Sequence, residues 1–144
     1  MIERDTIRLL RECDSGVKMG ITAIDDVLGH VKGSEMKIFL RNSKRESESI
    51  RSEIQSLLNE YHDNGKDPNP IVQGMSWAKT NWEMIIDGTD SRIAELMIDG
   101  CNMGIKSLCK YMNKYKAADE SSIALVERII KSEEKLSSHM RRYL

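Results

Sequence analysis

Proline is nearly missing from this chain: of 144 residues only Pro68 and Pro70 are proline, both in Asp67-Pro68-Asn69-Pro70. Nothing of that kind interrupts a helix anywhere else. Charge of one sign is missing as well. Lys plus Arg, 22, nearly cancels Asp plus Glu, 23, so no global field draws the chain to nucleic acid or to an anionic membrane. No apolar run approaches the ~20 residues that span a bilayer, and Met1-Ile2-Glu3-Arg4-Asp5 is no apolar signal region; the expected location is cytoplasmic. Cys13, Cys101 and Cys109 are odd in number and lack C-x-x-C spacing. That points away from a disulfide framework and predicts reduced thiols packed within helices, with an exposed redox thiol as the lesser reading. A Gly-rich phosphate loop, a nucleophile elbow and a Cys and His metal cluster are also lacking.

What is present is helical periodicity, in a chain of a length that suits one domain, 1–144, with a real core. Ile7, Leu10, Val17, Ile21, Ile24, Leu28 and Val31 recur at helical steps, with Asp14 filling the one gap. This predicts a long amphipathic helix ending near Gly33. Ser34 then caps a second, whose seam is Met36, Leu40, Ser43, Ser47, Ile50, Ile54, Leu57 and Tyr61. So short a connection implies an antiparallel helical hairpin.

His62-Asp63-Asn64-Gly65 closes the second helix, and the two prolines force an extended run. The connector up to about residue 90 is expected to carry a short helix from Ser76 to Ile86 with Trp77 and Trp82, read as a lid or simple packing. Asp87-Gly88-Thr89-Asp90 would end it and cap a third long helix, Ser91 to Tyr115. That helix is apolar over an arc wider than one seam needs, which predicts a homodimer contact. Asp119 or Ser121 caps a fourth, with the seam Ile123, Val126, Ile130, Glu133, Ser137, Met140 and Leu144. An internal echo links the two halves: Gly16-Val17-Lys18-Met19-Gly20-Ile21 returns 84 residues later as Gly100-Cys101-Asn102-Met103-Gly104-Ile105. Each glycine pair is expected to let a neighbouring backbone approach closely.

Leu9 to Leu144 resembles a bacterial ferritin-like family of uncharacterised function. The resemblance rests on the order of elements, Asp14-Ser15-Gly16, the break at 87 to 90, and Asp99-Gly100. It implies an all-α, ferritin-like four-helix bundle of two antiparallel hairpins joined by a long crossover. Enzymes of that fold place a Glu on each of two helices and Glu-x-x-His on each of the other two, aiming three-residue-spaced ligands at one metal pair. Here the residues three before His30, His62 and His139 are Val27, Asn59 and Leu136. The ligand motif is absent, and no role transfers to any position.

Polar residues nevertheless stand on the inward seams: Asp14, Ser43, Ser47, Glu133 and Ser137. A mid-helix carboxylate is costly without a partner, so Asp14 and Glu133 must be hydrogen-bonded, paired with a cation, raised in pKa or metal-bound. Two readings follow. The first is a polar cluster satisfied by serines, Tyr61, Tyr111 or an inward Lys or Arg, in a structural or interaction protein with no cofactor. The second is a rearranged carboxylate site for iron or manganese, with Asp14, Glu46 and Glu133 as metal candidates and Asp25 and Glu53 flanking, in an oxidoreductase acting on oxygen or peroxide. Asp26 and His30, four apart, fit a charge pair better than a metal site, and Lys44 to Glu53 mixes signs as a solvated face does.

Overall fold

The computed structural model describes residues 2–67 and 89–144. Four long helices carry them: α1 (Ile2–Leu28), α2 (Ser34–Glu60), α3 (Asp90–Lys114) and α4 (Glu120–Met140), with a 3-10 turn at Arg141–Tyr143. There is no strand among the described residues, and none of the described helices is long and apolar enough to cross a membrane. The arrangement is all-helical and compatible with a four-helix bundle. The expected Trp77 and Trp82 helix lies outside the described residues.

Local chemistry explains where the helices stop. Thr89 caps α3 by accepting from the Arg92 amide, and Asp119 caps α4 by accepting from the Ser122 amide; such caps each contribute about 1 kcal/mol. After α2, His62 and Gly65 both turn to positive φ, 57° and 87°, a region that few L residues enter. Gly33 rather than Ser34 holds the N-cap position of α2.

Two apolar clusters fill the interior. The first joins α1 from Leu9 to Ile21 (Leu9, Leu10, Cys13, Val17, Ile21) to the late half of α2 (Ile50, Ile54, Leu58), with Leu108 of α3 and Leu125, Val126 and Ile129 of α4. The second joins late α1 and early α2 (Ile24, Val27, Met36, Leu40) to early α3 (Ile93, Met97, Cys101) and late α4 (Leu136, Met140). Truncating a side chain as enclosed as Leu9 or Leu40, each 0% exposed, costs roughly 2–5 kcal/mol. Several seam assignments shift: Leu9, Leu58, Leu125 and Ile129 are buried where Ile7, Leu57, Ile123 and Ile130 are only partly so, and Leu144 is 62% exposed because the 3-10 turn carries the chain end off the face of α4.

The internal echo extends into the packing. The same 84-residue offset carries Leu9, Leu10, Cys13, Val17 and Ile24 onto Ile93, Ala94, Met97, Cys101 and Leu108, all buried. The inter-helix turns are pinned reciprocally. Asp90, at the start of α3, accepts from the Lys32 and Gly33 amides of the α1–α2 turn, both at 2.8 Å. At the start of α1, Asp5 accepts from the Ala117 amide at 3.0 Å and Thr6 from the Asp119 amide at 2.9 Å. The glycines of the echo behave otherwise than expected. A Cβ at Gly16, Gly20 or Gly100 would meet nothing within 4 Å, and at Gly104 it would meet the Glu133 carboxyl, not a backbone.

Candidate functional site

Asp14 is fully buried, at 0% exposure, in the middle of α1. Lys18, one turn on, sets its ammonium 2.7 Å from Asp14 Oδ2, and the Lys66 backbone amide donates to the same oxygen at 3.0 Å. Oδ1 is buried and has no hydrogen-bond partner among the described residues. Around this acid the segment that follows α2 folds back across α1. Arg11 pairs with Asp63 at 3.2 Å, Lys66 with Glu12 at 2.6 Å and Lys18 with Asp67 at 2.9 Å, while Tyr111 of α3 lies near Glu12. Gly65 is required at the crossing: its φ is 87°, and a Cβ there would run into the Asp14 carboxylate. Burial disfavours the Lys18 charge, but hydrogen bonds to Asp14 and Asp67 outweigh it and raise its pKa; the bond to Lys18 in turn lowers Asp67.

Glu133 has a different setting. Its carboxyl occupies the space left open by Gly104 on α3 and lies beside the Cys101 thiol. Loss of water pushes Glu133 up to about 7, against a smaller lowering by Cys101. Burial and then the Glu133 charge also drive the Cys101 thiol well up, and burial pushes Cys13 to about 12; both are inert, packed thiols. Along α4, Glu133 falls between Ile129 of the first apolar cluster and Leu136 of the second. On α1 that junction lies between Ile21 and Ile24. At 1.5 Å per residue, Asp14 sits roughly 10–15 Å below it along the helix axis.

The five seam residues are therefore not one site. Ser137 is buried, Ser43 and Ser47 are partly buried on α2 at the level of the junction, and Asp14 belongs to the lower layer. Glu46 is exposed, and the flanking acids are tied elsewhere, Glu53 to Arg128 at 2.9 Å and Asp25 to Lys44 at 2.5 Å. Among the described residues no three His, Cys, Asp or Glu side chains converge as a metal site would require. Asp26 is partly buried, and burial followed by the Asp25 charge raises its pKa. Cys13, Cys101 and Cys109 are all free thiols.

Sequence reasoning placed Asp14 and Glu133 inward and allowed for an inward Lys or Arg, but it named neither Lys18 and Lys66 for Asp14 nor Cys101 for Glu133. The four-residue step from Asp14 to Lys18 was a readable signal for an ion pair. Lys66, 52 residues from Asp14, and Cys101 opposite Glu133 left no such mark. No protein-family model, no curated protein and no solved structure matches the chain.

Proposed function

We propose that this chain is a ferritin-like four-helix bundle of two antiparallel hairpins that serves a structural or protein-interaction role in the cytoplasm and associates as a homodimer. The observation that carries the reading is the separate engagement of its two inward acids. Asp14 is held by Lys18 and the Lys66 amide, while Glu133 sits against Gly104 and beside Cys101, at a different level of the core. A rearranged di-metal centre needs carboxylates that share a metal. The Asp14 contacts instead fasten the segment after α2 to α1, a structural task.

Self-association is supported by large apolar side chains on the outside. Met103 of α3 is 61% exposed and Ile38 of α2 is 58% exposed, and α3 is the helix whose apolar arc exceeds one seam. Sedimentation velocity over a concentration series tests this. The expected result is a dimer that Met103→Glu shifts toward monomer with unchanged helical circular dichroism. A native protein that stays monomeric at the highest concentration refutes the dimer.

A further inference from the structure

Glu133 is an inward acid with no cation against it among the described residues. The groups around it bear this out element by element. On α3 the group that touches it is the neutral Cys101 thiol, backed by Gly104, while Asp99 and Lys106 are exposed. On α4, Lys131, Glu134 and Lys135 are exposed. On α1 the titratable residues nearest that level are Lys18, bound to Asp14 and Asp67, Asp25, bound to Lys44, and the partly buried Asp26, an acid and so no counter-charge. On α2 the same Lys44 is held by Asp25, Arg41, Arg45, Glu46 and Glu48 are exposed, and the partly buried Ser43 and Ser47 carry no charge.

We propose that Glu133 makes the junction between the two apolar clusters a proton-controlled joint. With the carboxyl neutral, Glu133, Cys101 and Gly104 close the packing of α4 on α3. With the carboxyl ionised, the closed joint holds an unpaired charge, and α3 and α4 part more readily at that level. The Asp14 layer, whose charge is already matched by Lys18, does not take part.

Geometry gives the reason and linkage gives the sign. Glu133 is part-buried as a whole residue, but its carboxyl is set into the gap at Gly104, and an unpaired carboxylate withdrawn from water there is disfavoured relative to one in water. The closed state therefore raises the acid to about 7 from its ordinary 4.5. A raised acid stabilises the closed state fully below the ordinary value, and this stabilisation is lost as pH climbs through about 7. Between pH 6 and 8.5 the same linkage multiplies the opening constant about tenfold.

Residue-resolved hydrogen exchange on the full chain, expressed as protection factors so that base-catalysed chemistry is removed, reads this directly. Protection at Cys101–Leu108 and Ile129–Leu136 is expected to fall about tenfold between pH 6 and 8.5, while Leu9–Val17 of α1 holds steady. Glu133→Gln, neutral throughout, should abolish the fall. An equal fall in Glu133→Gln, or no fall in the native chain, overturns the proposal. Should that variant not fold, carboxyl-carbon NMR of the native chain decides: Glu133 titrating near 7 supports the joint, and titration below about 5, close to the ordinary glutamate value, overturns it.

Discussion

At the scale of single residues, the two inward acids solve one problem in opposite ways. Asp14 keeps its charge company with Lys18 and a backbone amide, whereas Glu133 faces a thiol and is pushed toward the neutral form. Removing one member of a buried pair leaves the other charge stranded, at a cost of about 3–5 kcal/mol. An exposed pair is worth 1 kcal/mol or less. Asp14→Ala should therefore lower the urea midpoint far more than Arg128→Ala, which breaks only the exposed contact with Glu53. Comparable losses in the two variants would show that the Asp14 pair is not buried as described. How much of this could be read from sequence follows from the same residues. Helical spacing turns Asp14 and Glu133 inward, but the pairing of Lys66 with the Asp14 layer depends on how the chain returns after His62 and Gly65, which no periodicity encodes.

At the scale of elements, each turn is held by the opening residues of a distant helix. Asp90 satisfies the Lys32 and Gly33 amides, and Asp5 and Thr6 satisfy those of Ala117 and Asp119. These amides are exposed or half-buried, so water takes over when the acid is removed, and each bond is worth on the order of 0.5–1.5 kcal/mol net. Asp90→Ala is expected to destabilise the protein by that amount per bond and to speed amide exchange at Lys32 and Gly33, leaving Ala117 and Asp119 protected. Exchange that quickens equally at both turns would mean that they are not pinned independently. The helices themselves were legible because apolar steps of three and four run nearly unbroken through each, and because Thr89 and Asp119 are good caps. The last residues were less so. Leu144 continues the α4 pattern in sequence, yet the chain leaves the helix at Met140, and continuity of pattern cannot report that exit.

At the scale of the whole molecule, the 84-residue echo, the two apolar clusters and the reciprocal turn contacts describe two similar helical pairs packed into one core. The polar residues of that core are distributed over its layers and engaged one by one, and this distribution, more than any missing motif, supports a structural or interaction role. The most direct test is the metal content of protein produced with iron and manganese supplied, measured by mass spectrometry alongside Glu133→Ala and Asp14→Ala. The account predicts far less than one metal per chain in the native protein and no dependence on either acid. One or two metals per chain, lost on removing Asp14 or Glu133, would contradict it.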